Sequence, residues 1–321
     1  MRMGDVKIPG TVEGGQLVLP DGTRPPFGLG VPLGDGYYRV MASEPYPEGF
    51  DRDAPVTLDD LAASVQRVFG LDLRMHDPRW LTAFTDASRQ AASYRAGRVF
   101  VAGDAAHIHF PAGGPGIRTG INDAANLGWK LAAEIRGFAP RGLLDTYHTE
   151  RHPVGARVLQ YTRAQGALMT RSPHVVALRE LLGEMLQGEQ AVRFIVERLQ
   201  GTDARYDMGE ANAHPIVGGW LPDVSIETEK GARRLSALLH HARAVLVLFS
   251  RSPAIEALAA GYRDRIDIVT GSPVTKDESL DALLIRPDGH VAWAAARAAE
   301  DEAGLSRALH RWFGEPRREG P

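Results

Sequence analysis

The sequence lacks cysteine, a marked charge excess and long apolar runs. The absence of cysteine among 321 residues excludes disulfide bonds, thiolate metal sites, iron–sulfur clusters and cysteine nucleophiles. A formal net charge of -3 and a pI near 6.4 give no electrostatic reason to expect binding to nucleic acid or to an anionic membrane. No apolar run approaches the roughly 18 residues of a membrane span, and the N-terminal segment lacks the apolar core of a signal peptide. A cytoplasmic protein is therefore expected.

The residues that are present predict a globular chain in which strands and helices alternate. Apolar residues make up 44% and charged residues 24%, which is usual for globular proteins. Thr57 is a predicted N-cap, because Asp60 follows three residues later and an apolar helical pattern begins there. The predicted strands are Asp5–Ile8, Gln16–Leu19, Tyr37–Ala42, Arg98–Ala102, Ala244–Phe249 and Ile266–Thr270, and the predicted helices are Leu58–Phe69, Ile121–Arg136, Leu143–Met169, Val175–Leu186, Glu189–Leu199, Arg234–His241 and Ser306–Phe313. This pattern indicates the α/β class.

The strongest chemical signal begins where the predicted strand Arg98–Ala102 ends in Gly103-Asp104. A carboxylate at the carboxyl end of a buried strand lies where open α/β sheets place ligands, and it can accept hydrogen bonds from sugar-type hydroxyls. Three glycines within residues 113–116 let the backbone approach a flat ligand closely. The helix that follows points its N–H groups and positive dipole end at the same place, which suits a group that becomes anionic. Taken alone, the pattern leaves open a ligand site or a mere tight connection.

The same segment resembles the second FAD motif of the group A flavoprotein monooxygenases, the para-hydroxybenzoate hydroxylase-like family. The resemblance rests on G-D-A-A-H at residues 103–107, P-A-G-G-P-G at 111–116, R-T-G at 118–120 and D-A-A-N-L-G-W-K at 123–130. Arg89-Gln90-Ala91 and Glu150-Arg151 also match the aromatic polyketide and rifampicin hydroxylases of that family.

The resemblance implies an FAD-dependent monooxygenase of antibiotic biosynthesis that hydroxylates an aromatic, polyketide-type small molecule, with NADPH or NADH as reductant and oxygen as co-substrate. Because the cofactor carries out the difficult step, no strong acid–base residue need appear, and the sequence names no catalytic side chain. Substrate-binding residues also stay unassigned, because the register of the strands that carry them cannot be read from the sequence.

Carried over position by position, the resemblance implies that Asp104 binds the ribityl chain of FAD and that Pro111 lies beside the isoalloxazine ring. The backbone of residues 116–119 would contact the pyrimidine end of that ring. The full set of cofactor-binding residues implied in this way is Gly103, Asp104, Pro111, Gly113, Gly114, Gly116, Ile117, Arg118 and Thr119. The family often has Gln where Pro115 stands and Asn where Arg118 stands, so the flavin geometry depends on whether the main chain makes those contacts.

The resemblance also implies three domains. Residues 1–95 would form a mixed-sheet substrate-binding domain, and residues 96–200 the second half of the FAD-binding domain with additional helices. After the polar linker Gly201–Asn212, residues 210–321 would form a thioredoxin-like domain. The run Leu283–Gly289 resembles that domain in the polyketide hydroxylases, which has no active dithiol, in agreement with the lack of cysteine.

The family's N-terminal G-x-G-x-x-G turn, which holds the FAD pyrophosphate, is absent from this sequence. The glycines of Gly28–Gly34 have the wrong spacing, and Pro32 lies among them. We therefore expect an N-terminally truncated chain that binds FAD poorly alone, with a homodimer partner or a chain that supplies the missing half. Two alternatives stay open: a non-catalytic binding or scaffold relative, and an enzyme that reuses the aromatic cavity without flavin.

The sequence predicts no metal site. His107 and His109 are two residues apart and could both ligate a metal from a loop, but no third ligand is placed to join them. His148 and His152 are four apart on a predicted helix, where Glu150 falls in the wrong position for a zinc protease motif. We interpret them as part of a solvated helix face.

Overall fold

A computed structural model describes residues 1–13, 16–23, 29–44, 51, 54–111, 113–169, 172–210, 213–221, 223–229, 231–273, 280–296 and 301–317 of the chain. These residues form two compact units, Met1–Ala87 and Ser88–Pro321. Parts of the predicted linker (residues 211 and 212) and of the Gly28–Gly34 segment (residue 28) lie outside the described residues. The division into three domains stays a prediction.

The first unit is built on a four-stranded antiparallel sheet in the order β4-β5-β1-β6. A separate hairpin of β2 and β3 precedes β4 in the chain. The elements are β1 (Arg2–Lys7), β2 (Thr11–Glu13), β3 (Gln16–Val18), β4 (Gly30–Gly34), β5 (Tyr37–Ala42), α1 (Leu58–Phe69) and β6 (His76–Ala83). The mixed α/β character that the sequence predicts is confirmed, and the strand at 37–42 and the helix at 58–69 have the predicted bounds.

Helix α1 begins where the sequence places its N-cap. The Thr57 hydroxyl accepts the backbone N–H of Asp60 at 3.1 Å, and the Asp60 carboxylate accepts the backbone N–H of Thr57 at 2.9 Å. This reciprocal capping box satisfies two donors that the helix itself cannot. The apolar side of the helix packs on the sheet, and the buried side chains of this unit's core are Val6, Ile8, Leu17, Leu19, Leu29, Tyr38, Val40, Ala42, Leu61, Val65 and Leu73.

Glu44 joins the end of β5 to α1 through a partly buried ionic cluster. Its carboxylate accepts hydrogen bonds from Arg67 (2.7 and 2.9 Å), Ser64 (2.6 Å) and Arg2 (2.9 Å). The hydrogen bonds from Arg67, together with those from Ser64 and the charge of Arg2, lower the pKa of Glu44 to about 2, although burial opposes the shift. The carboxylate therefore stabilises the fold in its charged form.

Replacement of Glu44 by Gln is expected to lower the melting temperature at pH 7 and to have little effect near pH 2. A lowered folded-state pKa contributes stability that is fully present above the unfolded value of 4.5 and is lost as the pH falls towards about 2. Thermal unfolding of wild type and variant, followed by circular dichroism from pH 7 to pH 2, measures the difference. A gap in melting temperature that stays constant over this range contradicts the assignment.

The second unit begins with short strand pairs and continues with long helices. Strand β7 pairs with β10, and β8 with β9, both antiparallel. A 3₁₀ turn, Gly103–Ala105, separates β9 from β10. The elements are β7 (Arg89–Gln90), β8 (Arg95–Ala96), β9 (Val99–Phe100), β10 (His107–Ile108), α2 (Gly116–Ile135), α3 (Asp145–Leu168), α4 (Pro173–Met185) and α5 (Glu189–Gln200). Helix α3 continues through Pro153.

The carboxyl-terminal part of this unit is a six-stranded mixed sheet in the order β12-β11-β14-β13-β15-β16. Strands β13 and β14 are parallel and are joined by helix α7, whereas the other neighbours are antiparallel. The elements are β11 (Ser225–Thr228), β12 (Gly231–Arg234), α6 (Leu235–Leu238), β13 (Ala244–Leu248), α7 (Pro253–Ala260), β14 (Ile266–Pro273), β15 (Leu280–Ile285), β16 (Val291–Ala296) and α8 (Glu302–Phe313). Strand β13 is buried along its whole length, because apolar clusters cover both faces of the sheet.

Several predicted elements differ from the structure in their bounds, and three of them also differ in character or in where the site begins. The apolar run Arg98–Ala102 forms only the short strand β9, and Val99 is 65% exposed, because its one sheet partner among the described residues is β8. Helix α2 begins five residues before the predicted Ile121, since a glycine-rich stretch can be helical when tertiary contacts support it. The predicted helix Arg234–His241 is the end of strand β12 followed by one helical turn.

Candidate functional site

The first turn of α2 presents unpaired backbone donors. Pro115 occupies the N-cap position, and Thr119 donates the first intrahelical hydrogen bond to the carbonyl of Pro115, at 3.0 Å. The N–H groups of Gly116, Ile117 and Arg118 precede that bond and have no partner in the helix. They lie at the positive end of the dipole of a 20-residue helix. The structure therefore places part of the predicted cofactor-binding set in one donor-rich turn.

The Gly103–Asp104 turn lies directly against this helix end. A Cβ atom on Gly120 would lie 3.4 Å from the Gly103 Cα, at ordinary van der Waals distance, so the two backbones are close neighbours. Gly103 also has φ +58, in the left-handed region that favours glycine. The Asp104 side chain is exposed and makes no hydrogen bond with any described residue. Its carboxylate is thus available to a ligand beside the α2 donors.

The turn from Pro111 to Gly114 leads into α2. Gly113 and Gly114 have φ values of 74 and 64, and Gly114 donates its N–H to the carbonyl of Pro111 at 3.0 Å. A Cβ atom on Gly113 would lie 3.0 Å from the Leu199 side chain, which shows that this glycine faces α5. The Pro111 side of the turn is exposed. Glycine is therefore required here by backbone conformation as well as by close packing.

Thr119 is the most deeply buried residue of the predicted cofactor-binding set. Its N–H and its hydroxyl both donate to the carbonyl of Pro115, and its own carbonyl accepts from Arg151 at 3.2 Å. Its polar groups are therefore engaged within the protein. Thr119 shapes the helix end, while Gly116, Ile117 and Arg118 keep free donors.

Asp123 connects the Gly103–Asp104 turn to helix α2 on the buried side of the site. Its carboxylate accepts the N–H of Gly103 at 3.0 Å, lies 2.7 Å from Nε2 of His107 and accepts Nε–H of Arg151 at 2.7 Å. All three of the side chains in this cluster are buried. Burial opposes the charge, but the hydrogen bond from His107 and the charge of Arg151 hold the pKa of Asp123 below its ordinary value. Asp123 thereby fixes Gly103, and with it Asp104, relative to α2.

A second buried network links α2 and α3 to the hairpin turn between β15 and β16. Arg286 donates to both oxygens of Glu150 at 2.7 and 2.8 Å and also binds Asp288. Lys130 donates to Glu150 at 2.8 Å and to Asn126 at 2.7 Å. Burial, followed by repulsion from Arg286, lowers the pKa of Lys130 to about 8. The network joins the helices to the carboxyl-terminal sheet.

Sequence reasoning identified most of these network residues only as matches to a motif. Asp123, Asn126 and Lys130 have the i, i+3, i+7 spacing of one helix face, which by itself is typical of a solvated stripe. The sequence gives Asp288 no role beyond its place in the run Leu283–Gly289. Their burial depends on partners from α3 and from the distant hairpin, and no local sequence pattern predicts contacts with such distant segments.

The histidines have structural contacts. His107 Nε2 bonds the buried Asp123, and its ring stacks 6.4 Å from that of His109. His148 and His152, interpreted from sequence as solvated, are half-buried against the Tyr94 ring. No group of three or more side chains suited to hold a metal occurs within the described ranges.

Family comparisons identify the two parts of the chain. Residues 19–162 match the FAD binding domain family, and residues 214–316 match the aromatic-ring hydroxylase C-terminal family. The chain belongs to the FAD-binding aromatic-ring hydroxylases. The expected α/β fold of this family is confirmed. A mixed sheet is present in the second unit, whereas the described sheet of the first unit, predicted to be mixed, is antiparallel because its neighbouring strands run in opposite directions. Among the described residues, no helix combines the length and the apolar character needed to cross a membrane.

Several relatives of this chain come from streptomycetes. It is 45% identical over 292 residues to the anhydrotetracycline monooxygenase of Streptomyces rimosus, an alignment that covers 89% of this chain and 57% of the relative. It is 39% identical over 316 residues to the dialkyldecalin synthase of Streptomyces rugosporus, covering 97% of this chain and 62% of the relative. The solved structure of the anhydrotetracycline hydroxylase OxyS from Streptomyces rimosus superimposes with a TM-score of 0.84 at 40% identity, covering 98% of this chain and 64% of that one. The chain thus spans less than two thirds of the length of these relatives.

The residues present fit part of an FAD molecule. Asp104 is an exposed carboxylate without a described partner, as a ligand with sugar-type hydroxyls requires. The three free N–H groups of α2 suit an electronegative ring edge. The sequence contains no G-x-G-x-x-G turn for the pyrophosphate. The described site therefore fits the ring and ribityl portions of the cofactor.

Proposed function

We propose that this chain is the substrate- and flavin-ring-binding part of an FAD-dependent monooxygenase that hydroxylates an aromatic, polyketide-type molecule. The observation that carries the proposal is the contact of the Gly103–Asp104 turn with the donor-rich first turn of α2. FAD, when bound, supplies the activation of oxygen and its transfer to an electron-rich ring. NADPH or NADH would serve as reductant, and a cytoplasmic location belongs to the same proposal.

The chain's own residues would position the cofactor and stabilise charge. Asp104 would accept hydrogen bonds from the ribityl hydroxyls, and Pro111 would lie beside the ring. The N–H groups of residues 116–118 would donate to the pyrimidine end of the ring, where the α2 dipole favours negative charge. Asp123 holds both turns in place from the buried side.

The second unit has an exposed apolar face. This face supports the proposal that a further nucleotide-binding segment packs against it. Ile117, Ile121 and Ile135 are 81%, 61% and 84% exposed, and their spacing places them on one side of α2. Val99 in β9 is a fourth exposed apolar side chain of the same unit. Isolated exposed apolar residues are ordinary, but several on one helix face are typical of an interface. We propose that the pyrophosphate-binding half, in the same or another chain, covers this face.

Replacement of Asp104 by Ala is expected to weaken flavin binding by about 10- to 100-fold, the usual loss when a charge-assisted hydrogen bond is removed. Titration of riboflavin, FMN and FAD, followed by quenching of flavin fluorescence, measures the effect. The three ligands should bind the wild-type chain similarly, because the described site fits only the ring and ribityl groups.

The matched control is Glu134→Ala, which removes an exposed carboxylate from the other end of α2. It should bind flavin like the wild type. Equal binding by the Asp104 and Glu134 variants would disprove the role of Asp104. A wild-type chain that binds none of the three flavins would contradict the proposed flavin site.

A second candidate is an enzyme that uses the aromatic cavity without hydroxylation. The similarity to a dialkyldecalin synthase along 97% of this chain favours this candidate. Consumption of oxygen and of NADPH or NADH with an electron-rich aromatic substrate, by the chain together with its nucleotide-binding half, separates the two. Turnover of a polyene substrate without oxygen uptake would support the alternative, and a protein that binds such molecules without turnover would be a scaffold relative.

A further inference from the structure

A narrow cavity, partly open to solvent, lies beside the first turns of α2 and shares Arg118 and Thr119 with the predicted cofactor-binding set. It is lined by α2, α3, the end of α5 and the isolated bridge between Trp220 and His290. The side chains that give it chemical character are Arg118, Arg151, Arg198, Tyr206, Trp220 and His290. No carboxylate occurs among its described lining residues. A cavity with this lining has the charge to attract an anion.

Two of the three arginines lack a counter-charge. Arg118 makes neither a hydrogen bond nor an ion pair with any residue that the structure describes. Arg198 lies over the Phe194 ring at 3.5 Å and forms no ion pair within the same residues. Arg151 is neutralised by Asp123, but its bonds to Asp123, Tyr206 and Thr119 leave other N–H groups of the guanidinium free. Arg118 and Arg198 therefore give the lining of the cavity a net positive charge.

His290 is a second and independent indication of a ligand. The side chain is 97% buried, at 3% exposure, between the stacked ring of Tyr206 at 4.0 Å and the edge-on ring of Trp220 at 5.0 Å. Its Nδ1 faces Asp288 at 3.6 Å, and its Nε2 has no hydrogen-bond partner among the described residues. A buried ring nitrogen without a partner is costly unless a ligand or water satisfies it. His290 lines the cavity, where an anion would meet this need.

We propose that this cavity binds a small oxyanion, phosphate or sulfate in chemistry, between Arg118, Arg198 and His290. Guanidinium groups bind such oxygens with directed, charge-assisted hydrogen bonds, and the positive end of α2 adds to the attraction. The enclosed part of this cavity is narrow, so it admits a small ion or the terminal group of a larger ligand, rather than a polyketide. The proposal does not depend on flavin binding.

Isothermal titration calorimetry of the full chain with inorganic phosphate, at constant ionic strength and without flavin, tests the site. Arg118→Asn and His290→Phe should each weaken binding by about tenfold or more, because each removes a donor to a charged ligand. The phenylalanine keeps the stacking on Tyr206. Parallel titration with phenyl phosphate distinguishes the source: binding of phosphate alone indicates a free ion, and equal or tighter binding of phenyl phosphate indicates a terminal phosphate group.

Arg193→Gln is the control, since it removes an exposed arginine of α5 whose partner is Glu189. It should bind phosphate like the wild type, and Arg118→Asn should melt at the wild-type temperature in phosphate-free buffer. The proposal is overturned if the wild type shows no saturable phosphate binding at tens of millimolar. It is equally overturned if Arg118→Asn binds as tightly as the wild type.

Discussion

Replacement of Arg286 by Met is expected to lower the free energy of unfolding of the second unit by about 3–5 kcal/mol, the cost of breaking a buried ionic network on one side. The guanidinium is fully buried, binds Glu150 and Asp288, and lies 4.4 Å from the Trp312 ring. Burial opposes its charge, but the two carboxylates raise its pKa above the ordinary value. Methionine preserves most of the packing and leaves both carboxylates buried without a cation.

Urea denaturation at pH 7, followed by tryptophan fluorescence, measures this loss, since four of the five tryptophans lie in the second unit. Arg307→Met is the control, because its ion pair with Glu210 is at the surface and should contribute little. Neutralising both carboxylates in the Arg286→Met background should recover part of the stability. A variant as stable as the wild type would show that the network does not hold the hairpin to the helices.

Replacement of Asp123 by Asn is expected to cost a similar amount, about 3–5 kcal/mol, and to weaken flavin binding as well. The change leaves Arg151 buried without a counter-charge and removes an acceptor from His107 or from the Gly103 N–H. Because Gly103 precedes Asp104, movement of that turn displaces the carboxylate proposed to bind the ribityl chain. Asp123 is thus a positioning residue that has no contact with the ligand.

Two measurements separate positioning from simple loss of stability. Flavin titration at a temperature where the variant remains folded should show weaker binding, and circular dichroism at that temperature should be unchanged. The control is Asp145→Asn at the exposed start of α3, whose carboxylate pairs with Arg95 of β8 at 2.6 Å. It should alter neither property. Wild-type flavin affinity in a destabilised but folded Asp123→Asn protein would limit Asp123 to a role in stability.

Local signals predicted those elements whose stabilising interactions lie nearby in sequence. Helix α1 was predicted with its bounds because Thr57 and Asp60 complete a capping box on their own. Strand β13 was predicted because a run of five apolar residues must be buried on both sides. The start of α2 was predicted too late, because Gly116 and Gly120 oppose helix formation locally, whereas in the fold Gly120 packs on Gly103 and Gly116 lies beside His109.

The sequence by itself determined the class of the protein, the family, and the segment that carries the cofactor motif, because these depend on composition and on residues close together in the chain. The tertiary structure alone decided which charged side chains are buried and which segments of the chain they hold together. Asp288 reaches Asn126 across 162 residues, and Arg286 reaches Glu150 across 136. It also assembled the cavity around Arg118 and His290 from distant segments. From the local sequence, charged residues are expected to face solvent. Only the packing of elements that are distant in sequence excludes water from them, and a buried charge then needs its partner for the fold to be stable.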